Sequence, residues 1–202
     1  ATRAVMPVHY AGGVGDLDGI YSMAHSYGLR VVEDAAHAFG TTTTGRRVGS
    51  FGDVACFSFD GIKNITCGEG GCVVSDDDKV VERVRRYRSL GLLTERNADP
   101  TRGILPKFDV REQGWRYHMS NIMAAIGIEQ LKRFPDFAIK RQKLAKKYDQ
   151  LFNDHPSIQP VPRDYKTVVP HIYVVRICGM KDRKRIQKKI EGLLIQILLK
   201  NI

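Results

Sequence analysis

Long apolar runs are what this chain of 202 residues most plainly lacks. None approaches the roughly 20 consecutive apolar residues that a membrane-spanning helix needs, and the opening "ATRAVMPVHYAGG" has no apolar segment of the kind that directs secretion. Cysteine is sparse as well. Cys56, Cys67, Cys72 and Cys178 form no CxxC pair and have no histidine cluster beside them. Metal binding and a disulfide framework are therefore poor readings, and a cytoplasmic, reducing location fits better than export. Negative charge is also short: 22 Asp and Glu stand against 32 Lys and Arg, a net charge of +10.

The surplus of bases sits in "KVVERVRRYRSLG", "IKRQKLAKKYDQLF" and "MKDRKRIQKKIEG". All three are helical in pattern, and their bases read as solvated faces. Nucleic-acid recognition needs aromatics interleaved with the bases or a binding module, and neither is present. A polyanionic small molecule, such as a phosphorylated cofactor or a nucleotide-sugar, accounts for a smaller share of the charge. No initiator methionine opens the chain, and "GLLIQILLKNI" closes it without a terminator, so both ends read as cut edges.

What the chain does contain is strand and helix in alternation. Residues 2–10 predict a buried strand. "DLDGIYSMAHSYG" predicts a helix with Asp16 as N-cap, Leu17, Ile20, Tyr21 and Ala24 on one face, and Gly28 as the stop. "LRVVEDAAH" predicts the next strand, giving a βαβ unit and hence a parallel sheet. "TTTTGRRVGSFGD" reads as a small hairpin, and "VACFSF" and "GGCVVSD" as two strands. Only a short loop joins that last pair, so the second should run antiparallel to the first. A helix follows from Asp77 or Asp78. The stretch from Gly91 to Tyr117 reads as a long irregular loop. Beyond it come a helix, a break at Pro135, a second long helix, a strand in "HIYVVRIC" and a basic helix.

Two short segments carry the chemistry. In "VVEDAAHAFG", Asp34 closes a parallel strand, at the sheet edge where open α/β sheets bind ligands. A carboxylate there, after apolar Val31 and Val32, needs a cationic partner such as a protonated pyridinium nitrogen. Taken alone, Asp34 or Glu33 is more simply a cap on the following turn. In "FSFDGIKNITCGEGGCVVSDD", Lys63 follows the next strand, Ser58 stands near that strand's end, and Gly68, Gly70 and Gly71 let backbone approach a planar ligand. A lysine with a lowered pKa forms Schiff bases; a solvated loop lysine is the equal alternative. Taken together, an amine, an acid and hydroxyl donors are what pyridoxal 5'-phosphate (PLP) requires.

These two segments, with "AVMPVHYAGGVGDLDGI" before them and "YHMSNIMAAIGIEQLKR" after, resemble the DegT/DnrJ/StrS family of nucleotide-sugar aminotransferases, of PLP fold type I. The resemblance implies an α/β fold with a mostly parallel sheet covered by helices on both faces. It divides the chain into part of a large PLP-binding domain, residues 1–134, and part of a small C-terminal domain, residues 135–202. It makes Lys63 the lysine bonded to the cofactor and Asp34 the partner of the pyridine nitrogen. His37 stands where the family contacts the ring hydroxyl, Ser58 where it holds the phosphate, and Ala36 where a small side chain packs on the ring. The implied reaction transfers an amino group from an amino acid, by family habit glutamate, to a nucleotide-linked keto-sugar, with Lys63 as general base, in a homodimer.

Some positions depart from the family pattern. Ser89-Leu90-Gly91 stands where Asn-His-Gly is common, and Arg116-Tyr117-His118-Met119 where Asn-Tyr-Arg-Met is common. A sugar dehydratase of the same family is a rival, but it carries a histidine in place of the lysine. A desulfurase-like enzyme of the same fold and a non-catalytic module that kept the fold are the others.

Overall fold

The computed structural model describes residues 1–94, 108–110, 112–179, 184, 187–189 and 191. They form two units, Ala1–Lys146 with Arg163–Tyr173, and Lys147–Pro162 with Val174–Ile202.

The first unit is built on a four-stranded sheet. Its strands are β1 (Ala4–Val5), β2 (Arg30–Asp34), β5 (Val54–Ser58) and β6 (Gly71–Val74), adjacent in that order. β1, β2 and β5 are parallel, and β6 is antiparallel to β5, as the short joining loop requires. The register pairs Val32 with Val54 and Asp34 with Cys56, so β2 and β5 end at one edge.

β1 is shorter than expected. Pro7 has no N–H to give to a ladder. The chain instead makes an isolated bridge from Val8 to Asp34 and then a single 3-10 turn over Tyr10–Gly12.

α1 (Leu17–Ser26) connects β1 to β2. Asp16 accepts from the Gly19 amide at 2.9 Å as N-cap, Leu17 and Ala24 are buried, and Gly28 ends the helix at φ +62°. Hairpin strands β3 (Thr42–Thr43) and β4 (Arg46–Arg47) follow β2. Ala35, Ala38 and Val48 form a core cluster with Val14 and Phe57 against it. On β2, Glu33, 1% exposed, bonds buried His9 at 2.8 Å and the hydroxyl of part-buried Tyr21 on α1 at 2.9 Å. The carboxylate drives the Tyr21 phenol strongly upward, together with burial, which is the larger cause.

α2 (Asp78–Tyr87) starts at the cap Asp77, whose Oδ1 accepts from the Lys79 amide at 3.0 Å. Where a wholly irregular loop was expected, β7 (Leu92–Thr94) pairs antiparallel with β8 (Phe108–Val110).

α3 (Asn121–Phe152) is one helix across Pro135, where the sequence predicts a break. Proline there removes a single main-chain donor. The residue before it, Phe134, is fixed edge-on against Phe39 with centroids 4.9 Å apart, which holds the helical turn in place. The expected boundary at 134/135 thus falls inside a helix, and the units divide at Lys146/Lys147. After α3 the segment Arg163–Tyr173 rejoins the first unit, with Tyr165 and Val168 packed on Ala145.

In the second unit, β9 (Ile158–Pro160) pairs antiparallel with β10 (Val175–Ile177). β10 is shorter than the strand expected from "HIYVVRIC". The basic helix expected after it lies for the most part outside the described residues, as does "GLLIQILLKNI". Among the described residues, no helix is long and apolar enough to cross a membrane.

Candidate active site

Each element brings one polar group to the carboxyl end of the parallel strands. Asp34 is the last residue of β2. Its main chain is held on one side by Pro7 and His9: the Asp34 amide donates to the Pro7 carbonyl at 2.9 Å, and the His9 amide donates to the Asp34 carbonyl at 3.0 Å. On the other side the Ala35 amide donates to the Cys56 carbonyl at 2.9 Å. The half-buried carboxylate accepts from the Ala36 amide at 3.1 Å, which turns the chain toward His37. The capping role read from the sequence is therefore real, and it leaves the other carboxylate oxygen available. Asp34 also raises the Cys56 thiol pKa, second to burial, so the charge is felt across the strand pair.

Ser58 ends β5 opposite Gly71, and its Oγ accepts from the Asp60 amide at 3.4 Å. Lys63 follows in the turn that Asp60 caps, with the Ile62 amide on Asp60 Oδ1 at 3.1 Å and the Lys63 amide on the Asp60 carbonyl at 3.0 Å. Next to it, buried Asn64 donates its side-chain amide to the Val169 carbonyl at 3.2 Å and the Phe39 carbonyl at 3.4 Å. Among the described residues, neither the Lys63 amine nor the Asp34 carboxylate has an ion-pair partner.

The glycines serve a different purpose from the one expected. A Cβ on Gly71 would stand 2.6 Å from the Phe57 carbonyl oxygen, and one on Gly70 would stand 2.6 Å from the Cys67 Sγ. Gly71 lets β6 close on β5, and Gly70 makes room for Cys67 and Met119. Only Gly68, at φ +86°, faces open space.

His37 ties the constellation together. Burial, then the Lys63 cation, lowers its pKa, while Asp34 raises it. Lys63 and Asp34 are therefore each within electrostatic reach of His37. The Ala11 amide donates to His37 Nδ1 at 3.4 Å, which leaves Nε2 to carry the proton of the neutral ring.

A residue that the sequence reading did not single out completes the cluster. His171, 8% exposed, lies with its ring centroid 4.3 Å from that of His37. Its pKa falls to about 4, chiefly through burial and then through His37, Lys63 and Arg141, with Asp60 opposing. His171 opens the segment "HIYVVRIC", read from the sequence as a strand, and its place beside His37 follows from the return of that segment after α3.

The two segments that depart from the expected pattern are neighbours: Ser89 bridges Arg116, and the Tyr117 amide donates to the Arg88 carbonyl at 3.0 Å.

Residues 1–198 match the DegT/DnrJ/EryC1/StrS aminotransferase family. The chain belongs to that family. It is similar to DesV of S. venezuelae, solved in complex with a ketimine intermediate, at 31% identity and a TM-score of 0.80 over 95% of this chain and 48% of that one. Helicobacter pylori PseC, an aminotransferase involved in the biosynthesis of pseudoaminic acid, matches at 29% identity and a TM-score of 0.79 over 88% of this chain and 46% of that one. Spr1654 from Streptococcus pneumoniae, in its PLP-form, matches at 27% identity and a TM-score of 0.76 over 99% of this chain and 53% of that one. The chain thus spans about half the length of these relatives. The family is PLP-dependent, and the α/β architecture with its mixed, mostly parallel sheet is that of its solved members.

Proposed function

We propose that this chain carries the cofactor-binding part of a PLP-dependent aminotransferase, one that moves an amino group from an amino acid such as glutamate to a nucleotide-linked keto-sugar. The observation that carries the reading is that Asp34 and Lys63, at neighbouring strand ends, each lie within electrostatic reach of His37, and that among the described residues neither the amine nor the carboxylate has an ion-pair partner. That donor set suits PLP: an amine for an aldehyde, an acid for a ring nitrogen, and a ring N–H and a hydroxyl for oxygens.

When bound, PLP supplies an aldehyde that bonds amines and a ring that accepts electron density from the carbon losing its proton. The protein's own groups do the rest. Asp34 keeps a proton on the ring nitrogen, and its strand-end position, held by Pro7, His9 and Cys56, fixes where that nitrogen lies. His37 Nε2–H donates to the ring hydroxyl. Ser58 Oγ, at the end of β5, binds the phosphate, and Ala36 leaves room beside the ring. Lys63 would bond the aldehyde and, when its amine is free, would serve as the base that moves the proton at the donor carbon. A lysine at this position favours transamination over the dehydratase reading.

A homodimer is supported by exposed apolar side chains at the start of α3: Ile122 is 77% exposed, Ile128 56% and Leu131 54%. A cytosolic setting is supported by four free cysteines.

The test is covalent. The chain is incubated with PLP, reduced with borohydride and digested, and the pyridoxyl group is located by mass spectrometry. It is expected on Lys63 alone and absent in Lys63→Ala. Labelling of the Ala variant at the wild-type level sinks the assignment.

A further inference from the structure

Residues Thr167–His171 return from α3 and hydrogen-bond to the segments that follow β2 and β5, which bear site residues. The Thr42 amide donates to the Thr167 carbonyl at 2.9 Å, just past the loop that carries His37. The Val169 amide donates to Thr41 Oγ1 at 3.0 Å, and that hydroxyl donates to the Gly12 carbonyl at 3.1 Å. The Val169 carbonyl accepts from Asn64, the residue after Lys63, at 3.2 Å. α3 anchors the strap from behind: Gln142 donates to the Val168 carbonyl at 3.1 Å, and Arg141 Nη1 donates to the His171 carbonyl at 3.1 Å. Thr41 and Val169 are nearly or wholly buried, so these bonds are shielded from water.

The strap ends on His171, whose ring meets that of His37 at 4.3 Å and 39°. Nδ1 of His171 is buried and makes no hydrogen bond. Through that atom the ring has no polar tether. Its place is set by the anchored backbone and by the ring contact itself. On its other side His37 meets the Tyr10 ring, with centroids 5.8 Å apart, and the Ala11 amide. An imidazole held between two rings and one amide has few rotamers left.

We propose that His171 is a positioning residue, which holds the His37 imidazole in the orientation that meets the cofactor's ring hydroxyl. The proposal deepens the PLP reading and rests on it for the identity of the group that His37 meets. The buttress itself does not depend on the cofactor. His171 acts as a neutral ring. The charged and titratable groups around the pair are Lys63, Arg141, Asp34, Asp60 and Tyr10, and Lys63 and Arg141 both oppose a proton on His171.

The experiment uses the full chain, first without cofactor. Histidine ring signals are followed by NMR against pH, with the His37 signal identified from its loss in His37→Gln. In His171→Ala, His37 is expected to titrate at higher pH than in the wild type, because the burial that depresses it is relieved. In His171→Phe, a ring again covers His37 and its titration stays low. PLP is then added to each. The dissociation constant is expected to rise about tenfold or more in the Ala variant and to recover most of that in the Phe variant. Thermal unfolding shows that each variant is folded.

Two results overturn the proposal: an unchanged His37 titration in a folded Ala variant, or a Phe variant as weak toward PLP as the Ala variant. Failure of the wild type to take up PLP overturns the cofactor reading instead, and the cofactor-free titration still decides the buttress.

Discussion

The ring of His171 lies 4.3 Å from the ring of His37, although one follows α3 and the other follows β2. The pair excludes charge from its own interface. His171 is 8% exposed, and its pKa is lowered from 6.5 to about 4. As pH falls, the unfolded chain takes a proton on this residue first. Stability is therefore fully present above pH 6.5 and is lost as pH falls toward 4. The expected loss across that window is about 3 kcal/mol. Urea unfolding of the cofactor-free chain at stepped pH measures it. His171→Phe should flatten the curve, and an equally steep curve in that variant refutes the assignment.

Lys63 and His37 share a field. Burial depresses the His37 pKa first, and the lysine charge adds to it. Lys63→Met removes the cation and leaves an apolar chain of similar length. His37 should then titrate at higher pH than in the wild type. Asp34→Asn removes the opposing charge and should move it lower. NMR titration of the two variants in parallel checks both signs, and a shift in the same direction for both contradicts the shared cluster.

On the proposed PLP reading, Asp34→Asn should also lower aminotransferase activity by about 100-fold or more, since a neutral amide cannot hold a ring nitrogen protonated. Steady-state kinetics with saturating amino donor reads this, and a variant within a few-fold of wild type argues against the pairing.

The Glu33 hub on β2 predicts a stability effect away from the chemistry. Glu33 bonds both His9 and the Tyr21 hydroxyl, and His9 is only 2% exposed. Glu33→Ala leaves buried His9 and part-buried Tyr21 without their partner and should cost about 3 kcal/mol. Tyr21→Phe removes only one hydrogen bond and should cost about 1 kcal/mol. Equal losses in the two variants would show that the carboxylate is not the hub.

Gly12 gives the sharpest steric forecast. It holds φ +85°, and a Cβ there would stand 2.5 Å from the Val169 carbonyl oxygen. Gly12→Ala should displace the strap and lower stability by about 1–3 kcal/mol, with His37 titrating as in His171→Ala. A stable Gly12→Ala chain with an unaltered His37 signal would mean that the strap tolerates the displacement.

Much of this site was legible locally. Asp16, Gly28 and Asp77 mark helix ends through side-chain caps and a positive φ, and those ends stand where expected. Asp34, His37, Ser58 and Lys63 lie on two neighbouring strands and the loops that follow them, so one parallel pairing brings them to one edge. What was not legible depends on contacts between distant segments. Pro135 reads as a stop because a helix alone disfavours it, and the packing of Phe134 on Phe39 overrides that preference. Gly70 and Gly71 read as ligand-facing because spacing does not reveal that Phe57 and Cys67 stand over them. His171 opens "HIYVVRIC", which reads from the sequence only as a strand, and the return of its segment to the first unit gives it a role.

That return has a consequence for biosynthesis. A nascent chain displays Asp34, His37 and Lys63 long before Thr167–His171 has been made. Until translation delivers the strap, Asn64 lacks its Val169 acceptor and His37 lacks the ring at its side. The candidate site residues are thus made early, but the contacts that fix Asn64 and His37 form only after α3 is complete.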